Sequence, residues 1–268
     1  TANAVFYFVV SNLADLDGAR VLEPSVRAQV LRSGDIGVQA RFETSLSSLN
    51  QQTGDYVASR QHAQNAVDLL SKAPGDELTT VWARIRLADA MIRLDDFDAA
   101  ENVLLRALAD DEVLLGPRHP DLAQAILPLA FVHKNLGRYE AAQAEYQRAI
   151  DLLETAYGQD HVWLGSSLSG LADVYATQGK YLPALPLLER ALGIFDEHQA
   201  DYSDKSGVTG LLGSVYLGLG RSEKARQYLE ETLRLRTQMF GPTHPSTAYA
   251  HNALGNLERS AGNLGAAR

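Results

Sequence analysis

Three of the chain's seven histidines recur in one repeated phrase. Leu115-Gly116-Pro117-Arg118-His119-Pro120 returns as Tyr157-Gly158-Gln159-Asp160-His161-Val162 and again as Phe240-Gly241-Pro242-Thr243-His244-Pro245. Imidazoles at a fixed interval suggest a shared metal. The interval argues against one: equivalent points on stacked helical units lie at least about 8–10 Å apart, whereas a metal needs its nitrogens at about 2 Å. Capping and packing of the helix that follows is the expected role. His133 lies outside the phrase and is expected in the core. Gly210 to Gly220 is glycine-rich but has neither the GxGxxG order nor a P-loop lysine. Gly165-Ser166-Ser167-Leu168-Ser169-Gly170 does not give the G-x-S-x-G elbow of a serine hydrolase. The chain has no cysteine, which excludes disulfides, thiolate chemistry and cysteine zinc sites. No paired carboxylates stand apart from the charged helix faces. The expectation is a protein without catalytic residues, metal or cofactor.

The formal net charge of −9 over 268 residues disfavours nucleic acid, which needs basic patches. The longest apolar run, Ala4 to Val10, is far shorter than the roughly 20 residues of a bilayer span. There is no three-part signal peptide. Compartment stays open: cytoplasmic by default, extracytoplasmic if a membrane helix precedes this segment in a longer protein.

The elements that carry these residues also repeat. An inner glycine falls at 137, 179, 220 and 262, spacings of 42, 41 and 42. A fixed period of this size means stacked supersecondary units. Residues 121–158 show one unit. Leu122, Ile126, Leu129, Ala130 and Val132 have helical spacing until Asn135-Leu136-Gly137 stops them. A second helix runs from about Tyr139 to Ala156, with Ala142, Tyr146, Ala149, Leu152 and Leu153 on one face, until Gly158. Pro120 and Pro245 stand where first helices begin. Pro128 lies inside one, where it should bend the helix and free the carbonyl of Gln124.

The motif in each unit resembles the tetratricopeptide repeat. It reads Leu171-Ala172, Tyr175, Gly179, Tyr181, Ala184, Leu188, Ala191, and before that Leu129-Ala130, His133, Gly137, Tyr139, Ala142, Tyr146, Ala149. Upstream it reads Leu87-Ala88, Met91, Asp95, Phe97, Ala100, Leu104, Ala107, with a weaker copy from Leu46-Ser47 to Ala66. Downstream come Leu212-Gly213, Tyr216, Gly220, Ala225, Leu229, then Leu254-Gly255, Gly262, Ala267. The 42-residue period with its Gly-x-x-His-Pro link is similar to the repeats of kinesin light chains and of many bacterial signalling proteins. The resemblance implies an all-α, right-handed superhelical solenoid of about six helix-turn-helix units over residues 38–268, the last one truncated. Residues 1–37 are expected as an N-terminal helical cap or connector, with one helix from Asn3 to Leu16 and another from Pro24 to Arg32. Asp17-Gly18 and Ser33-Gly34-Asp35 should break them. This stretch has a loose similarity to the connector before the repeat array in some bacterial serine/threonine kinases and membrane-linked transcription regulators.

The resemblance also implies that first helices line a concave, ligand-bearing face. Carried over by motif position, that face takes Arg41, Thr44, Ser48 and Gln51 from the first unit, and Trp82, Ile85, Asp89 and Ile92 from the second. The third supplies Gln124, Leu127, Phe131 and Lys134. The fourth and fifth supply Ser166, Ser169 and Asp173, then Gly207, Gly210 and Ser214. The sixth supplies Tyr249, Asn252, Asn256 and Arg259. Trp82, Ile85, Leu127 and Phe131 would be apolar anchors. Asn252, Asn256 and Arg259 would offer amide and guanidinium donors. Where kinesin light chains hold peptide backbone with paired asparagines, this chain has Leu127-Pro128, Ser169-Gly170 and Gly210-Leu211, and only Asn252-Ala253 keeps one; no unit has the lysine–asparagine pair of a carboxylate clamp. Neither binding mode transfers.

The function expected is a scaffold that binds a protein or peptide segment, as the sensor or interaction region of a larger bacterial signalling or regulatory protein. The alternative is self-association through the last repeat, where Leu264 to Arg268 begins a second helix and stops. Gly207, Gly210, Gly213 and Gly218 in one helix, after a link that has lost its histidine (Ala200 to Ser206), should make the fifth unit the weakest.

Overall fold

The computed structural model describes residues 16–72, 77–198 and 202–260. Among them are twelve α-helices and no strand. They are α1 (Leu16–Ser33), α2 (Ile36–Gln52), α3 (Tyr56–Ser71), α4 (Glu77–Arg93), α5 (Phe97–Leu115) and α6 (Ala123–Asn135), then α7 (Tyr139–Tyr157), α8 (Val162–Thr177), α9 (Tyr181–Glu197), α10 (Tyr202–Gly218), α11 (Ser222–Phe240) and α12 (Pro245–Ser260). A 3-10 turn, Pro120–Leu122, leads into α6. The chain divides into two compact units, one ending at Arg138 and the other beginning at Tyr139.

In the first unit the hairpins α2–α3 and α4–α5 stack so that α2, α4 and α6 are successive neighbours. The motif's small and apolar residues form the seam: Ala63, Leu87, Ala88, Met91, Ala100, Leu104, Leu129 and Val132 make one buried cluster. Alanine recurs because it lets helix axes approach while costing no side-chain entropy. The second unit is built alike, with α7 on α8, α9 on α10, and hairpins α8–α9 and α10–α11 followed by α12.

Each hairpin turns in the same way. The N–H of the residue after the inner glycine returns to a carbonyl five residues back: Asp55 to Asn50, Asp96 to Met91, Arg138 to His133, Lys180 to Tyr175 and Arg221 to Tyr216, all at 2.8–2.9 Å. This helix-ending motif needs a residue in the left-handed region. Gly54, Gly137, Gly179 and Gly220 supply it at φ between +70° and +80°. Asp95 fills the place in the second hairpin at φ +57°. A side chain there costs about 1 kcal/mol or more. Asp95→Gly should therefore raise the urea midpoint of the first unit by an amount worth about 1 kcal/mol.

The amino-terminal region departs from the expected pattern. A single helix, α1, runs from Leu16 to Ser33 through Pro24, so Pro24 does not open a helix, and Asp17-Gly18 falls in its first turn. Asp17 lies in the first turn, where a carboxylate complements the helix dipole. A proline inside a helix costs about 3 kcal/mol. Against that cost, α1 buries Ala19, Val26 and Val30 on Phe42, Leu46 and Leu49 of α2. The helix expected over Asn3–Leu16 falls almost wholly outside the described residues, as does the motif's end at Gly262 and Ala267 and the helix start at Leu264.

The fifth repeat also differs from the expected link. Tyr202 to Ser206 is the first turn of α10 rather than a loop. Its four glycines are not equivalent. A methyl added at Gly213 would meet Leu229 at 2.7 Å, and one at Gly218 would meet the Tyr181 ring at 2.4 Å, whereas Gly207 has nothing within 4 Å. Two of them thus admit a neighbouring side chain. Gly165 and Gly170 do the same for Phe195 and Tyr146, each at 2.3 Å. Gly165, Gly170, Gly213 and Gly218 are thus sockets for neighbouring side chains.

Candidate functional site

The link histidines cap helices. Each accepts through Nδ1 from a backbone N–H two residues on: Asp121 to His119 at 3.2 Å, Trp163 to His161 at 3.3 Å and Ser246 to His244 at 3.1 Å. His119 and His161 have the extended backbone of an N-cap residue. His161 stacks on Tyr157 and His244 on Phe240, with ring centroids 4.6 and 4.4 Å apart. His133 is buried in α6, and its Nε2 lies 3.1 Å from Glu101 on α5. Among the described residues no three His, Cys, Asp or Glu side chains are placed to hold a metal ion.

The candidate binding residues of the first unit lie on α2, α4 and α6. Trp82 is 44% exposed and Phe131 37%. The Lys134 ammonium stands 5.0 Å from the Phe131 ring centroid, an attractive cation–π distance. Leu127 and Gln124 are half-buried and Arg41 is exposed. Asp89 is half-buried and 3.4 Å from Arg86, one helical turn away. Burial raises its carboxyl above the usual aspartate range, while Arg86 and Arg93 pull the other way. Ile85 is a correction: it is 5% exposed and packs with Val81, Ala107 and Ala125. Its motif position faces the crevice between α4 and its neighbours, so it fills the stack and leaves no surface for a ligand. Pro128 lies within α6. It has no N–H to give the carbonyl of Gln124.

In the second unit, Ser169 and Asp173 lie on α8, while Tyr249, Asn252, Asn256 and Arg259 lie on α12. α10 stands between these helices in chain order and packs on α8. Ser169 donates to the carbonyl of Ser166 at 3.0 Å. Asp173 is half-buried. The Tyr146 phenol is pushed up by burial, with Asp173 and Glu145 adding to the effect. Tyr249 is exposed and sits beneath Arg236, 5.8 Å from its ring centroid. Asn252 and Asn256 are exposed, and Arg259 donates to the Asn256 side chain.

Sequence reading missed three features. A pocket of about 330 Å³ opens among α9, α10 and α11, lined by Leu192, Asp196, Lys205, Thr209, Tyr228 and Glu231 among others. There Lys205 bridges to Asp196 at 2.9 Å. The loss of the histidine link before α10 was the available signal. Arg226 of α11 pairs with Glu258 of α12, which is almost wholly buried. Asp111, on α5, is a buried carboxylic acid.

The chain matches the tetratricopeptide repeat family model over residues 39–113, 121–197 and 207–268. It is therefore a member of the tetratricopeptide repeat family. No curated protein sequence matches it. Among solved structures it is similar to BtubC (BKLC) of P. vanneervenii, with 23% identity over 86% of this chain and 92% of that one and a TM-score of 0.67. The apo form of RapI aligns over 100% of this chain and 94% of its own, with 16% identity and a TM-score of 0.76. NprR in complex with its cognate peptide NprX aligns over 98% of this chain and 73% of its own, with 15% identity and a TM-score of 0.74. At these identities the likeness is one of fold. No helix among the described residues is long and apolar enough to cross a membrane.

Proposed function

We propose that the chain is a protein-interaction scaffold whose first unit holds a peptide or partner segment against α2, α4 and α6. The observation that carries this reading is the pair of large aromatic side chains left exposed on adjacent first helices, Trp82 on α4 and Phe131 on α6. Covering two such exposed rings is what a bound peptide segment would do. Asp89 and Arg86 on α4 and Lys134 on α6 would supply polar contacts that fix register. The NprR structure with its cognate peptide gives the fold a precedent for this use. A signalling or regulatory protein of bacterial type is the setting that the repeat form suggests.

The test is selection from a displayed library of short random peptides, followed by calorimetric titration of the selected peptide. Trp82→Ala and Phe131→Ala should each weaken binding about tenfold or more, in the range of interface hot spots. Leu182→Ala, at an exposed position of the second unit, should leave it unchanged. Selected peptides that bind both aromatic variants as well as wild type would defeat the proposal. Self-association through the last repeat is the competing reading. It would appear as concentration-dependent sedimentation abolished by an appended polar helix.

A further inference from the structure

In the first four repeats, the residue four beyond the motif alanine of the second helix occupies one position in the stack. It holds Leu70 in the first repeat, Leu153 in the third and Phe195 in the fourth, and each of these is buried. In the second repeat the residue is Asp111, which is only 4% exposed. A carboxyl group therefore occupies a site that three other copies give to hydrocarbon.

The Asp111 carboxyl makes no hydrogen bond or ion pair among the described residues. The charges around it are mostly of its own sign. Asp110 precedes it on α5 and is paired to Arg84 of α4. Asp121 faces it from the 3-10 turn that opens the next repeat, and His119 caps that turn. Asp110 and Asp121 disfavour its ionised form, and His119 favours it. Arg84 is engaged by Asp110 across α4 and α5. Among the described residues no third ligand converges to make the site a metal centre. A buried, unpaired carboxylate costs several kcal/mol in general unless it is neutralised, and the neutralising species left is a proton.

We propose that Asp111 is a proton-binding site that makes the link between the second and third repeats pH-sensitive, tight when Asp111 is protonated and loosened when it is ionised. Burial is the main cause that lifts its carboxyl from 3.8 to about 6, and Asp121 and Asp110 add to it. The sign follows from that direction. An acid whose folded-state value is raised stabilises the fold fully below its unfolded value near 3.8, and the contribution is lost as pH rises through about 6. The turn it loosens is closed by two backbone bonds, His119 N–H to Gly116 and Leu122 N–H to His119, both at 3.2 Å. That turn sets the entry of α6, which carries Leu127 and Phe131. The device itself needs no ligand.

Asp111→Asn removes the charge at nearly constant shape, and Asp111→Leu restores the residue type of the first and third repeats. Urea unfolding of the whole chain across pH 4 to 7.5 should show at least one of them more stable than wild type at pH 7.5. The gap should approach about a hundredfold in the unfolding constant and shrink steadily towards pH 4. The Asp111 carboxyl, followed by carbon NMR, should titrate near pH 6, and Asp121→Asn should lower that midpoint. A purely structural role would not move it. Titration in the ordinary range near 4, or a gap between wild type and both variants that stays constant with pH, would overturn the proposal.

Discussion

Gly165→Ala should destabilise the second unit by about 2 kcal/mol, the usual scale for forcing a methyl into a packed core. The added carbon would lie 2.3 Å from Cε1 of Phe195 and 2.4 Å from its Cζ. Phe195 is itself fully buried, so its ring has no solvent to swing into. Helix propensity alone gives the opposite sign, since alanine exceeds glycine by about 1 kcal/mol in a helix interior. Gly207→Ala isolates that term. It sits on α10 with nothing within 4 Å and should gain about 1 kcal/mol. The two variants, compared by urea unfolding, should move in opposite directions. Phe195→Leu should relieve part of the Gly165→Ala loss, because residues in contact couple. Equal gains at both glycines would show that Gly165 is not a socket.

Arg226→Met should cost about 3 kcal/mol, read as loss of amide protection along α12. Glu258 is 6% exposed at its side chain, and Arg226 is its ion-pair partner. Removing one member of a buried pair strands the other charge, and the stranded charge dominates the cost. Arg226 keeps some contact with water, which places the effect at the low end of the range for fully buried pairs. Glu258→Gln leaves no charge behind and should cost less. In the Arg226→Met background it should recover much of the loss. If Arg226→Met and Glu258→Gln prove equally mild, the pair is a surface contact.

The period made the helices, hairpin turns and capping histidines legible in the chain. A glycine every 41 or 42 residues fixes where helices end, because the left-handed turn repeats with it. Asp95 shows where that reading reached its limit: the turn keeps its geometry although the glycine is gone. The candidate surface was less legible, because motif position tells which face a residue takes and not how closely the next helix covers it. Ile85 and Trp82 are three residues apart on α4, yet one fills the crevice and the other is exposed. Asp111 was hidden for a related reason. Its type reads as a solvated helix face, and only its alignment with Leu70, Leu153 and Phe195 shows that the position belongs to the core. The glycine-rich α10 looked weak by propensity, but two of its glycines are spoken for by Leu229 and Tyr181.

Trp82 offers the most direct measurement of the proposed function. The chain has two tryptophans, and the other, Trp163, lies in the first turn of α8 in the second unit. In Trp163→Phe, all tryptophan emission comes from Trp82. Titration with a library-selected peptide should shift that emission to the blue as the exposed indole leaves water, with the same midpoint that calorimetry gives. Calorimetric binding with the Trp82 emission unmoved would contradict the account and place the partner elsewhere on the chain.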